Sequence, residues 1–191
     1  MKITTIRHGI TDWNYARRVQ GSQDIPLNEA GINQAQLLGE RLAVEPCDII
    51  YASDLKRAHK TAEIIGAHHP NAPLHTSSNL REIGYGDFEG KVIEDDAMWA
   101  KFHAHLEQSA AENSARIHGY LDEVVAGGHE NIFIVSHFGT IRSMICYFLK
   151  LTPEEGRAYV IGNTAIHTFQ RLPSGEFDMI LENDTAHLGL V

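Results

Sequence analysis

Three short stretches of this sequence set basic side chains where a β-type run stops. Ile3 to Ile6 is a β-branched run that ends in Arg7-His8-Gly9. Asp48 to Ala52 is an apolar run that leads into Ser53-Asp54 and then Arg57. Asn131 to Ser136, the strongest strand signal in the chain, is followed by His137-Phe138-Gly139. Gly9 lets a ligand approach the main chain beside His8. If the three strands run parallel, their carboxyl ends share one sheet edge, where α/β folds bind ligands. Two arginines sit oddly for helix electrostatics. Arg57 falls in the first turn of the helix after Asp54, where the macrodipole disfavours a cation by about 0.3–1 kcal/mol. Arg142, expected in the first turn after His137, repeats the oddity. A surface cation tolerates that cost. An anion held between such cations removes it, and helix N-termini bind phosphates readily.

The elements that must position these groups follow from periodicity. A polar loop, Tyr15 to Leu27, leads into a helix from about Asn28 to Ala43, with Asn28 as N-cap. Its apolar stripe is Ile32, Ala35, Leu38 and Leu42. Ser53-Asp54 is expected to cap a second helix with the stripe Leu55, Ala58, Ala62 and Ile65. Leu74 to Thr76 reads as a brief extended piece, and Leu80 to Gly90 as an irregular, glycine-rich loop. Glu94 to Ala126 is mostly helical, with its clearest face at Ile117, Leu121, Val124 and Val125, and Gly127-Gly128 stops it. A helix over Thr140 to Leu149 follows the strongest strand, and Pro153 suits the start of a short one. Ala165 to Leu172 and Phe177 to Glu182 form a hairpin around Pro173-Ser174-Gly175. Strands alternating with helices imply an α/β fold, here a three-layer sandwich: a mixed, mostly parallel sheet with helices on both faces.

Bulk properties narrow the function class. The chain has 191 residues, 43% of them apolar and 21% charged, which suits one domain with a sizeable core. The net charge of −9 argues against a nucleic-acid partner, which needs a basic face. No apolar run is long enough to span a bilayer. Met1-Lys2 leads straight into the first strand, so no signal peptide is expected, and Cys47 and Cys146 are expected as free thiols in a cytoplasmic setting. With that acidic charge, any phosphate site must be a local basic pocket. Histidines outside the three stretches, such as His68, His69, His103 and His129, are expected to be solvated.

Taken with their spacing, these residues resemble the signature of the histidine phosphatase superfamily, the phosphoglycerate-mutase-like fold. Arg7-His8-Gly9-x-Thr11-x-x-Asn14 is similar to its first block and Gln20-Gly21-x-x-Asp24-x-Pro26-Leu27 to its second. Ser53-Asp54-Leu55-x-Arg57 resembles the second arginine motif, Leu80-Arg81-Glu82 through Glu89-Gly90 the acid motif, and Val135-Ser136-His137-x-Gly139-x-Ile141-Arg142 the second histidine motif. The five blocks occur in family order, and the tail with His187-Leu188 resembles that of small phosphatases of this family, the broad-specificity and α-ribazole phosphatase-like members. The resemblance implies a metal-independent phosphomonoesterase acting on small phosphate esters, with no cofactor. It makes His8 the nucleophile that forms a phosphohistidine, and Glu82 the group that protonates the leaving oxygen and then activates water. It assigns Arg7, Arg57 and His137 to the phosphoryl oxygens, with Asn14 as a neutral donor and Gln20 and Gly21 at the substrate. It also implies one domain over 1–191, with a short helical lid at about 91–116.

Two departures bear on substrate choice. Phe138 stands where a small residue is common, so its ring is expected to line or narrow the pocket, and Ile10 is apolar where relatives are often polar. Mutase activity in the same fold is the main competitor, and the short insertion favours water as acceptor. A non-catalytic phosphate-binding protein is disfavoured by the presence of both His8 and Glu82. A metallohydrolase is disfavoured because no His-Glu-x-x-His spacing occurs, and no metal is expected. A P-loop is a near miss at Gly86-x-x-x-Gly90-Lys91, with short spacing and no Ser or Thr after Lys91. The oligomeric state and the physiological ester are left open.

Overall fold

In a computed structural model, residues 1–189 are described. Residues 190 and 191 of the expected domain lie outside the described residues. The six strands are β1 (Lys2–Arg7), β2 (Ile49–Ser53), β3 (Leu74–Ser77), β4 (Asn131–Ser136), β5 (Ile166–Arg171) and β6 (Phe177–Asp184), and they form one sheet in the order β3-β2-β4-β1-β5-β6. Neighbours from β3 to β1 pair parallel, whereas β5 and β6 join antiparallel. The expected mixed, mostly parallel sheet is therefore present, and β1, β4 and β2 are adjacent.

Alternation along the strands sorts the core into two layers. Ile132 and Ile134 face α4 (Asp96–Ala126) and α5 (Phe138–Leu149), where Ile117, Leu121, Met144 and Phe148 are buried. Phe133 and Val135 face α2 (Glu29–Leu42) and α3 (Lys56–Gly66), where Leu38, Leu42, Ala58 and Ile65 are buried. A one-residue slip in β4 would send each set into the opposite layer, so its register is set by the fit of each set to its own pair of helices. Among the described residues no helix is long and apolar enough to cross a membrane.

Several local expectations are corrected. A short helix, α1 (Asp12–Tyr15), precedes the polar loop; a capping box between Thr11 and Asn14 supplies the hydrogen bonds that start it. On α2 the buried face holds Gly31 and Gly39 beside Ala35, Leu38 and Leu42, while Ile32 is exposed. The cause is backbone contact: a Cβ on Gly31 would lie 2.0 Å from the Ile10 carbonyl oxygen. Helix α3 is not capped by Ser53-Asp54. Its N-cap is Leu55, which makes no side-chain bond, because Asp54 pairs with Arg81 instead. Helix α5 starts at Phe138, which puts Arg142 in its second turn, not its first. No correction falls on the 91–116 segment, expected as a helical lid: it is helical from Asp96, the start of α4. His69 is buried and packs edge-on against Phe133 rather than being solvated.

Candidate active site

The adjacency of β1, β4 and β2 brings the three basic strand ends together. The His8 N–H donates to the Ser136 carbonyl at 3.0 Å, which ties the end of β1 to the end of β4. His8 is 3% exposed and its ring centroid lies 5.2 Å from that of His137, which is fully buried. Hydrogen bonds set the two imidazoles in complementary states. Nδ1 of His8 lies 2.7 Å from the Gly9 carbonyl, which can only accept, so Nδ1 carries the proton and Nε2 keeps a bare lone pair. Nδ1 of His137 lies 3.2 Å from Nε of Arg57, which can only donate, so His137 carries its proton on Nε2. That Nε2 is buried without a partner. One ring thus offers a nucleophilic nitrogen and the other an unused donor.

Electrostatics keep both rings neutral. Burial, then the nearby Arg57 and Arg7 guanidiniums, hold His8 well below the usual histidine range; burial and Arg57 do the same to His137. Burial also pushes Arg7 down to about 10, which leaves it charged at neutral pH. Arg57 is 1% exposed. Its Nη1 and Nη2 donate to the Gln23 and Gly21 carbonyls at 2.6 and 2.8 Å, and these bonds supply the partners that its helix turn lacks. Gly21 earns its conformation at φ +53, and a Cβ there would sit 2.1 Å from Glu89 Oε1. Arg7 Nη1 donates to the Ile161 carbonyl at 2.7 Å, and its Nε is buried without a partner. Phe138 lies beneath Arg7, with the guanidinium carbon 5.4 Å from the ring centroid.

Glu82 comes from the loop after β3. Its Oε1 accepts from the N–H groups of Ile83 and Thr140, and its Oε2 from the Gly139 N–H at 3.0 Å. Oε2 has the fewer contacts, one against three for Oε1. Glu89, the other carboxylate of the loop, is tied to Ser22, Gln23 and Tyr85 N–H. It clasps two loops together. Asn14 Oδ1 accepts from the N–H and hydroxyl of Thr11, so its amide nitrogen is the group it presents. Gln20 Oε1 lies 3.0 Å from the same hydroxyl, whose single proton the two amide oxygens share.

These groups surround a cleft of about 140 Å³ lined by Arg7, His8, Asn14, Gln20, Gly21, Arg57, Glu82 and Phe138, with His137 packed behind. The nine residues expected at the site are therefore at one place, whereas Arg142 and Ile10, also singled out from the sequence, do not line the cleft. Two lining residues escaped that reading, Arg18 and Tyr85. An aromatic residue between Gly84 and Gly86 was the available signal for Tyr85. Its ring packs against Phe102 of α4. A third omission supports the site from behind. Asn163 Nδ2 donates to the His8 carbonyl at 3.0 Å, and the Thr164 N–H donates to the Arg7 carbonyl at 3.1 Å. Thr164 sits at φ +55, and its hydroxyl lies 2.9 Å from Nε2 of His187 in the tail. The arrangement suits transfer of an anionic, tetrahedral group to His8. Among the described residues no group of three or more His, Cys, Asp or Glu is gathered as a metal would need.

Comparison with known proteins gives a consistent picture. The family model described as the histidine phosphatase superfamily (branch 1) matches residues 3–185. The chain is 32% identical over 203 residues to phosphoglycerate mutase-like protein 4 of Arabidopsis thaliana, covering 98% of this chain and 86% of that protein. It is 31% identical over 209 residues to the probable phosphoglycerate mutase GpmB of Yersinia pestis (strain Pestoides F), covering 100% and 96%. It superposes on phosphoserine phosphatase from Entamoeba histolytica in complex with 3-phosphoglyceric acid with a TM-score of 0.86, at 31% identity over 98% of each chain.

Proposed function

The chain belongs to branch 1 of the histidine phosphatase superfamily, with its phosphoglycerate-mutase-like fold, and from that premise we propose that it hydrolyses small phosphomonoesters through a phosphohistidine on His8, without metal or cofactor. The observation that carries the proposal is the bare Nε2 of His8 in one cleft with the buried Arg57 and the half-buried Arg7, with the unused Nε2–H of His137 behind it. In the first step Nε2 of His8 attacks phosphorus and the P–O bond to the alcohol breaks. Arg7, Arg57, His137 and the Asn14 amide hold the non-bridging oxygens, where charge develops. Glu82 gives a proton from Oε2 to the departing oxygen. In the second step Glu82 takes a proton from water, which attacks phosphorus and releases His8. We read residues 1–191 as one domain whose 91–116 segment serves as the lid, acting in the cytoplasm.

Mutase activity is the second reading, favoured by the names of the two relatives. Length does not separate the two, because the chain covers 96% of one of those relatives. The cleft favours hydrolysis: about 140 Å³ suits one phosphoryl group better than a bisphosphate.

Rapid quench with labelled substrate tests the proposal. Wild type should carry an acid-labile, base-stable label on His8, and His8→Ala none. Glu82→Gln should slow an alkyl phosphate by ~10²–10⁴-fold, because an alkoxide needs the proton. It should slow p-nitrophenyl phosphate far less and leave a burst of nitrophenol. Label on another residue, equal losses without a burst, or activity restored by a divalent metal after chelation would overturn it. Faster isomerisation of 3-phosphoglycerate than hydrolysis would select the mutase, and phosphate binding without turnover a non-catalytic protein.

A further inference from the structure

A second, larger cavity of about 510 Å³ lies between α4, α5 and the short helix α6 (Pro153–Gly156). That volume is in the range of small-molecule sites. Its walls are mostly apolar, including Leu106 and Ala110 of α4, Cys146 of α5 and Leu151 after it. One strong charge enters it. Arg142 of α5 is half-buried, and its Nε is buried without a partner. Its Nη2 reaches only the Tyr159 carbonyl, at 3.5 Å. Among the described residues no carboxylate lies within ion-pair distance of it. The acidic residue on the cavity rim, Glu107, is turned to Arg157 at 3.5 Å. An unpaired cation in a low-dielectric wall is costly, and an anion beside it recovers that cost.

The cavity is separate from the phosphate cleft but shares a wall with it. Ile83 and Gly139 line the cavity, while Glu82, Tyr85 and Phe138 line the cleft. The place where a Cβ on Gly139 would stand is 2.9 Å from both Glu82 Oε1 and Tyr85 Oη. Phe138 joins the two spaces: Arg142 stacks on its ring at 4.4 Å and Arg7 lies 5.4 Å from it. We propose that this cavity is a second binding site, for a monocarboxylate with an apolar body, whose carboxylate pairs with Arg142 and whose body lies between α4 and α5.

Octanoate is a suitable probe, and calorimetry reads its binding directly, independent of turnover. Octanoate should bind saturably in the millimolar range or tighter, and saturating orthophosphate should leave that affinity within twofold. The uncharged octanamide should bind at least tenfold more weakly. Arg142→Met, which keeps length and removes charge, should cost a similar factor. Ala110→Trp, which fills the cavity without touching the charge, should do the same. Octanoate that fails to saturate, binds Arg142→Met or Ala110→Trp as well as wild type, matches octanamide, or is displaced by orthophosphate would overturn the proposal. The octanamide comparison needs no variant, so a folding defect in either substitution leaves the test intact.

Discussion

At the scale of single residues, the neutrality of His8 and His137 has a consequence for stability. Both are held below the usual histidine range by burial and by Arg57 and Arg7. Above about pH 6.5 the unfolded chain also holds them neutral, so folding costs nothing on this account. As pH falls below that value, the unfolded chain takes up protons that the folded chain refuses. Stability then drops by up to about 1.4 kcal/mol per pH unit for each ring, until the lowered folded value is reached. The melting temperature of wild type should therefore fall more steeply between about pH 7.5 and 5.5 than that of His137→Gln, whose amide titrates at neither end. Equal slopes would show that His137 protonates freely in the fold. A bound phosphate reverses the sign locally, since an anion favours the imidazolium, so orthophosphate should protect wild type most at the acid end. The unfavourable place of Arg57 in the first turn of α3 was legible from the sequence. Its Gly21 and Gln23 partners were not, because they depend on the path of a loop with no periodic signal.

At the scale of elements, the start of α5 and the glycine-rich loop form one device. His137, the N-cap, makes no side-chain bond to the helix. Glu82 serves instead, accepting from the Gly139 and Thr140 N–H groups across 57 and 58 positions of chain. That is why a reading of local signals started this helix too late, at Thr140. It is also why Gly139 is needed. A Cβ there would press on Glu82 Oε1, Tyr85 Oη and the Ile83 Cδ1 at 2.9, 2.9 and 3.0 Å. Gly139→Ala gains about 1 kcal/mol of helix propensity and loses the contact with Glu82. Its melting temperature should change little, while kcat on an alkyl phosphate falls at least tenfold. Unaltered kcat would mean that the loop yields without moving the carboxyl group. The helices and strands themselves were largely visible, since most amphipathic stripes match buried faces. Helix α2 is the exception: two glycines replaced an isoleucine on its inner face, because backbone packing leaves no mark in hydrophobic periodicity.

At the scale of the whole molecule, alternating strands and helices revealed the α/β class and the antiparallel hairpin, but not the strand order, which is a matter of non-local pairing. The central place of β1 means that its neighbours, β4 and β5, lie far along the chain. The tail extends that dependence. His187 reaches Thr164, and Asn183 Oδ1 accepts from the Gly162 N–H at 2.8 Å, so the loop that grips the Arg7 and His8 carbonyls is itself gripped from behind. On the ribosome, the nucleophile leaves the exit tunnel more than 150 residues ahead of the loop that supports it, since Asn163 lies 155 positions after His8. Nascent chains stalled with residue 187 still inside the tunnel should show no turnover of p-nitrophenyl phosphate. Chains stalled on an appended linker long enough to free that residue should turn it over at the rate of the released protein. Activity rising gradually with chain length would count against this order. A step would mean that a growing chain with an exposed, reactive histidine remains chemically silent until the loop that supports it has been gripped in turn.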